Sequence, residues 1–406
     1  MEEWKKYKLD EVCKSIADGD HMPPPKVEMG IPFVTISNIK DNRLDLSDTY
    51  FVPQKYYDAL DIKRKPQTGD TIYSVVGTFG KPVYIKDNNP FVFQRHIAIL
   101  RPNVSILNPL FLYYTLLSPQ FYRKADIMAI GAVQRTISLT SLRNATIQIP
   151  PLAVQKEIVS ILESLDDKID LNRRINNNLE QQAQALFKSW FVDFEPFKAR
   201  PFVESELGMI PEGWRAESLS SIADYVNGLA MQKYRPDDGE VGIPVLKIKE
   251  LGQGLCDLNS ELCSPSKIGE KYLINNGDII FSWSGTLMVK VWCGGRCGLN
   301  QHLFVVNTKK LPKWFIYLWT KHHLDNFIRI AKDKAVTMGH IKRGELDKAM
   351  VLIPQQEVMN KIDSIMKPIY EKMISNEIQS RNLSSIRDTL LPRLMSGELK
   401  VNDVNI

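Results

Sequence analysis

Residues 158–190 read IVSILESLDDKIDLNRRINNNLEQQAQALFKSW, and residues 362–394 read IDSIMKPIYEKMISNEIQSRNLSSIRDTLLPRL. In the first stretch Ile158, Leu162, Leu165, Ile169, Asn172, Asn176, Leu179, Ala183, Leu186 and Trp190 recur at alternating steps of four and three. In the second, the same positions hold Ile362, Met366, Ile369, Met373, Asn376, Ser380, Leu383, Arg387, Leu390 and Leu394, a constant offset of 362 − 158 = 204 residues. This alternation is the seam period of a coiled coil. One inserted residue would turn the seam by about 100°, so an ungapped offset marks two copies of one helical element. Asn172 and Asn376 hold the same seam position. A polar residue there costs stability and fixes register and partner. In an antiparallel pair the two either face each other or one lies solvated at the rim.

Working outward, each helix follows a globular segment with the same order of blocks. Trp4 and Leu9 match Trp214 and Leu219, and the strand-like run Ile31–Ile36 matches Ile243–Ile248. Gly69–Ser74 matches Gly277–Ser282, His96–Leu100 matches His302–Val306, and Ile149-Pro150 matches Ile353-Pro354. The offset drifts through 210, 212, 208, 206 and 204, so length changes fall in loops while strand order persists. Pro109–Leu117 is expected to be a helix, with Asn108 as N-cap and proline at its first position. The expected class is α/β (α+β), with two similar globular domains separated by two long antiparallel coiled-coil helices in an internal pseudo-two-fold repeat.

The boundaries read as 1–150 for the first domain, 151–195 for the first spacer helix and 196–210 for a linker. They continue as 211–353 for the second domain, 354–398 for the second spacer helix and 399–406 for a tail. The run Glu195–Pro201, with its two prolines, reads as a hinge or spacer. The tail from Ser396 reads as fraying. A helix over 158–190 would run about 48 Å, the same order as one DNA turn of ~34 Å. A parallel pair is the alternative, since the linker could reach up to ~66 Å.

Composition sets broad bounds. With 406 residues, 44% hydrophobic and 24% charged, the chain suits two cored domains plus helices. Its 52 basic and 47 acidic residues leave +5, which permits an acidic partner without demanding one. No run nears the roughly 18 apolar residues of a membrane span, and the N-terminus lacks a signal-peptide core. Five sparse cysteines fit a reducing, cytoplasmic setting.

A search for catalytic chemistry returns little. The nearest match to a methyltransferase Asn-Pro-Pro-aromatic turn is Asn108-Pro109-Leu110-Phe111, which lacks the second proline and reads better as a helix start. No dinucleotide fingerprint or Walker-type phosphate loop is found. Cys293 and Cys297, with Cys256 and Cys263 upstream, have loose spacing for zinc, and buried free thiols fit better. His96 and His302 lack a recurring nucleophile and acidic orienter, which favours structural histidines over catalytic ones. No metal ligands are assigned.

Recurring loops are more informative. Val76–Lys81 matches Trp283–Thr286, and the stretch around Arg135 matches that around Lys342. They mix glycine, hydroxyls, cations and an aromatic, the means of approaching phosphates and base edges. Candidate DNA-binding residues are Ser74, Thr78, Lys81, Gln94, Arg95, Gln134 and Arg135 in the first half. In the second they are Lys247, Lys249, Ser282, Ser284, Lys290, Gln301 and Lys342. For any single loop an ordinary polar turn is the competing reading. Recurrence with different side chains points to two related but distinct binding surfaces.

Leu186–Phe194 closes the first helix and Leu390–Leu399 the second, while Ile149-Pro150-Pro151-Leu152 with Gln155 opens the first. Together with Gly213-Trp214 and Gly69–Ile72, these resemble the specificity subunit of type I restriction–modification systems over essentially the whole chain. The second helix start, Pro354-Gln355-Gln356-Glu357, departs from the pattern by a shifted glutamine and a missing proline. The resemblance implies a non-catalytic reader of double-stranded DNA, each globule contacting one half of a bipartite, asymmetric site. It implies that the helices set the gap and dock two methylation subunits. It assigns Leu165, Ile169, Asn172, Leu179, Leu186, Trp190, Ile369, Met373, Asn376, Leu383, Leu390 and Leu394 to coiled-coil and partner contacts. S-adenosylmethionine would come with the methylation subunits, and ATP and Mg with restriction subunits. A type IIB-like specificity chain, a solitary methyltransferase and a plain coiled-coil scaffold are the alternatives.

Overall fold

The computed structural model describes residues 4–22, 24–132, 134–333 and 339–404. It divides into two compact units, residues 1–167 with 384–406, and residues 168–383. The long helices Leu152–Phe187 and Gln356–Met395 each contribute one part to each unit. None of the described helices is long and apolar enough to cross a membrane.

In the first unit a four-stranded antiparallel sheet runs in the order Cys13–Asp18, Ile97–Pro102, Thr71–Ser74, Pro82–Tyr84. Side chains alternate across a strand, and here both faces are covered. Tyr73, Ala98 and Leu100 face a core with Phe111 and Phe121 from the helices Pro109–Leu117 and Pro119–Met128. Ile72, Ile97 and Ile99 face a second core with Val34 and Phe93. That second layer is a three-stranded sheet, Tyr50–Val52, Ile31–Val34 and Val92–Phe93, whose last pair is parallel. Double coverage explains why His96–Leu100 is apolar without alternation. Asn108 caps its helix as expected, its Oδ1 accepting from the amides of Leu110 (2.9 Å) and Phe111 (3.2 Å).

Lys5–Lys8 pairs with Thr146–Ile149, so the globule closes just before the long helix starts. Gln155, fully buried, fastens that start: it accepts from the amide of Asn108 (2.8 Å) and donates to the carbonyls of Ile106 (2.9 Å) and Pro150 (2.8 Å). Ile158, Val159 and Leu162 share the first core with Leu391, Leu394 and Met395 from the far end of the second helix. Asp166 joins the elements, accepting from Arg387 (2.6 Å) and from the Tyr114 hydroxyl (2.9 Å).

The second unit repeats the plan. Its four-stranded sheet runs Ala223–Asn227, Leu303–Thr308, Ile279–Ser282, Met288–Val291, and Arg215–Ser218 pairs with Met350–Ile353. Phe281, Phe304 and Val306 face Phe315 and Phe327, while Ile280, Leu303 and Val305 face Leu246 and Trp292. One arginine staples the first strand in each unit: Arg143 donates to the carbonyl of Ile16 and Arg343 to that of Tyr225, both at 2.6 Å.

The seam reads as the sequence requires. Within the second unit Asn172 Nδ2 donates to Gln379 Oε1 (2.9 Å), and Asn176 Nδ2 to the carbonyl of Met373 (2.9 Å), so the helices run antiparallel there. Asn172 and Asn376 are both buried; Asn172 also reaches the carbonyl of Asn376 (3.4 Å), and Asn376 Nδ2 donates to Asn176 Oδ1 (2.9 Å). The asparagines therefore adjoin by interleaving with neighbours rather than pairing amide to amide. Leu165, Ile169 and Leu394 are buried, and Leu179, Leu186, Trp190, Ile369, Met373, Leu383 and Leu390 are half-buried.

Two sequence expectations are corrected. The segment 196–210 is not a bare spacer: Phe197 is buried against Trp214, ring centroids 5.1 Å apart, and Phe202–Ser205 pairs with Gly208–Pro211 in a hairpin. Aromatic burial outweighs the proline signal that suggested a hinge. The tail does not fray over its described part, because Leu399, Val401 and Val404 pack on the first core. Its apolar residues are too few to show a period but suffice to cover one edge.

Candidate nucleic-acid interface

The loops singled out by recurrence meet at one end of the four-stranded sheet in each unit. In the first, the turn after Thr71–Ser74 is laced to the stretch before Leu139–Asn144. The Gly77 amide donates to the Arg135 carbonyl (2.9 Å) and the Ile137 amide to the Val75 carbonyl (2.8 Å). The Val75 amide donates in turn to the His96 carbonyl (2.9 Å), which brings in Gln94 and Arg95. In the second unit the Gly285 amide donates to the Gly339 carbonyl (3.0 Å) and the Ile341 amide to the Trp283 carbonyl (3.1 Å). The lacing is thus the same twice. Gly77 (φ 68°) and Gly285 (φ 63°) supply the left-handed turn that it needs.

The candidate side chains separate into two groups. Ser74 and Ser282 are fully buried and brace their turns, Ser74 Oγ donating to the Thr78 carbonyl (2.9 Å) and Ser282 Oγ to the Ser284 carbonyl (3.1 Å). Ser284 is buried too. Arg135 is committed inside its loop: it donates to the Asp126 carboxylate and to the carbonyls of Asp126 and Ala129, and stacks 5.2 Å over Phe79. Lys247 pairs with Glu261 (2.8 Å). Lys290 is half-buried and donates to the Gly252 carbonyl (2.8 Å), with burial lowering its pKa. These residues shape the surface more than they project from it. Thr78, Lys81, Arg95, Gln134, Lys249 (3.8 Å from Asp257) and Lys342 are exposed, and Gln94 and Gln301 half-buried. That second group is what the loops offer to a partner.

Two features escaped the sequence reading. Gly19 and Gly228 end equivalent strands against the neighbouring turn; a Cβ there would lie 2.0 Å from the Phe93 carbonyl oxygen and 2.2 Å from that of Asn300. The signal was present as Asp18-Gly19 and Asn227-Gly228, a turn dipeptide at matched positions. The second is Trp283, which replaces Val75 and gathers His302 (6.0 Å), His340 (6.4 Å) and Phe304 (5.7 Å) around its ring. Its indole N–H donates to Asn227 Oδ1 (2.9 Å). The first unit instead carries the stack of Arg135, Phe79 and Tyr122, with the two rings 6.0 Å apart and nearly parallel. Equal frames thus present different chemistry.

The sequence model of the type I restriction modification DNA specificity domain matches residues 1–181 and again 211–382. The chain belongs to that family. The two matches contain the two laced loop systems. Among relatives of this specificity family, the chain is 28% identical over 325 residues to the type I restriction enzyme MjaIX specificity subunit of Methanocaldococcus jannaschii, covering 78% of this chain and 74% of that one. It is 23% identical over 472 residues to the type I restriction enzyme HindI specificity subunit of Haemophilus influenzae, covering 98% and 100%. The fold is similar to that of the S subunit of a type I restriction–modification system from M. genitalium, with a TM-score of 0.53, 14% identity and coverage of 97% and 96%.

Proposed function

We propose that this chain is the DNA-reading subunit of a type I restriction–modification complex and performs no chemistry itself. Each globule reads one half of a bipartite, asymmetric site through its laced loops. The observation that carries this is the identical cross-loop hydrogen bonding in both units under unlike side chains: Lys81, Arg95 and Gln134 in one, Trp283, Gln301 and Lys342 in the other. A shared frame with different side chains suits two different half-sites. In this reading the paired helices set the unspecified gap and dock two methylation subunits, which bring S-adenosylmethionine. Restriction subunits bring ATP and Mg, and the assembly works in the cytoplasm.

The test is methylome mapping in a host that supplies the methylation subunits. Exchanging residues 211–353 for the equivalent segment of another family member should change one half-site and leave the other intact. Inserting one heptad into both long helices should lengthen the gap. Methylation at an unchanged motif after both alterations would overturn the reading.

A further inference from the structure

The helix Pro119–Met128 leads into a turn that returns at Thr136. Ile130 and Thr136 exchange both backbone hydrogen bonds, at 3.0 and 2.8 Å, and Thr136 also pairs with Val76, so this turn belongs to the laced loops of the first unit. Arg135 clamps it. Its guanidinium donates to the Asp126 carboxylate, to the Asp126 carbonyl and to the Ala129 carbonyl (3.4 Å), and lies 5.2 Å over the Phe79 ring. What this clamp holds out to solvent is apolar: Ile127 is 85% exposed and Ile130 is 71% exposed. A single exposed aliphatic is ordinary, but two of them fixed on a polar loop system mark a contact surface. Arg123, one helical turn before Ile127, is exposed, as are Lys81 and Gln134 from the same loops. The surface thus combines two aliphatic groups with two cations and an amide.

An anionic partner that carries methyl groups fits this combination. Duplex DNA is one, since in the major groove each A·T pair presents the thymine C5 methyl beside the adenine N6 and N7. We propose that Ile127 and Ile130 read thymine, covering C5 methyl groups in the half-site of the first globule. This rests on the reading of the chain as a DNA reader and names the chemistry of one half of its site. The Gln134 amide suits the adenine edge of the same pair, and Arg123 and Lys81 suit the flanking phosphates. Cytosine and uracil carry no methyl at C5, so the contact separates thymine from both. The clamp gives it selectivity: side chains on a turn fixed by backbone bonds meet a methyl only where the duplex places one. A protein partner fits less well. Two isoleucines fall far short of the roughly 800 Å² that a stable protein interface buries on each side, whereas a methyl group needs one side chain over it.

The experiment uses the full chain assembled with its methylation subunits. Methylome mapping supplies the motif, and the half left intact when residues 211–353 are exchanged is the half to alter. Two synthetic duplexes carry the motif, one natural and one with deoxyuridine for every thymine of that half on both strands. Anisotropy titrations compare them. The expected result is binding about fourfold weaker on the uracil duplex for each contacted methyl, the effect of leaving one methyl-sized group uncovered. The double variant Ile127→Ala, Ile130→Ala should bind the natural duplex more weakly and lose the difference between the two. Both side chains are exposed, so its circular dichroism melt should be unchanged. Equal affinity of the wild-type complex for the two duplexes, with the motif still preferred over a scrambled sequence, would overturn this inference and leave the DNA-reading role standing. So would a half-site without an A·T pair, or a uracil penalty that persists undiminished in the double variant. Release of the methylation subunits by the double variant, with no uracil penalty in the wild type, would assign the two isoleucines to a protein contact and overturn it too. A wild-type complex with no preference for the motif over a scrambled sequence would sink the DNA-reading role itself, and this inference with it.

Discussion

Asp70→Asn and Asp278→Asn are the same substitution at equivalent positions, yet they should differ sharply. Each aspartate closes the turn before an inner strand, Oδ2 accepting at 2.9 Å from the amide of Gln67 or of Asn275. Their cations differ. Arg101 grips Asp70 through Nε (2.9 Å) and Nη2 (2.8 Å) and spends its other N–H groups on the carbonyls of Ile62 and Lys65; the side chains are 16% and 2% exposed. Among the described residues Asp278 pairs with Lys313 alone, at 3.3 Å, with exposures of 48% and 25%. Asp70→Asn strands a desolvated guanidinium, a loss of about 3–5 kcal/mol when one partner of a buried pair is removed. The retained carbonyl bonds favour the low end. Asp278→Asn keeps the turn acceptor and loses a screened contact of about 0–1 kcal/mol. Native-state hydrogen exchange in the full chain reads both. Amides of Thr71–Ser74 should exchange about 100-fold faster in Asp70→Asn, at roughly 1.4 kcal/mol per decade. Those of Ile279–Ser282 should shift less than about tenfold in Asp278→Asn. Equal acceleration in the two variants would refute the reasoning.

Gly19→Ala and Gly228→Ala should each destabilise their own unit by about 1–3 kcal/mol, because the added methyl meets backbone that cannot yield; an unchanged melt in either would contradict this. Lys81→Ala should reduce the salt slope of DNA binding by about 0.9 if it neutralises one phosphate, while Lys290→Ala leaves the slope alone. Binding isotherms of the complex with its methylation subunits across a salt series decide both. Asn172→Ala should cost about 1–3 kcal/mol by removing its buried hydrogen bonds to the Asn376 carbonyl and to Ser380 and Gln379, measured by urea unfolding of the full chain. Burial holds His323 below the ordinary 6.5. The unfolded chain therefore takes up its proton first, and the stability this histidine contributes is full above that value and lost as pH falls through the folded pKa. His323→Gln should flatten the decline in melting temperature between about pH 7 and pH 5; an unchanged decline would argue against it.

The helical seam was legible because a period of three and four leaves no choice of face, and every seam position named from the sequence is at least half-buried. Asn108 was legible for a local reason, as asparagine before proline has one favourable use at a helix start. The loops could be located, but the roles of their side chains could not be read. Arg135 looks like a base reader in sequence, and only the fold brings Asp126 and Phe79 to occupy it. Lys247 and Lys290 are similar cases, since their partners Glu261 and Gly252 lie far off in the sequence, Gly252 within the helix Ile248–Gln253. The 196–210 segment misled because its prolines are local signals while its anchor, Trp214, lies beyond it.

Leu391, Leu394 and Met395 complete a core begun by Leu9, Phe111 and Leu162. On the ribosome that core stays open until residues 391–395 have been made, whereas residues 168–383 form a contiguous stretch. The second unit can therefore finish first, and the N-terminal globule waits with an uncovered apolar groove. Premature termination near residue 384 would leave that groove permanently bare, a hazard for aggregation that falls on the earlier-made half of the protein.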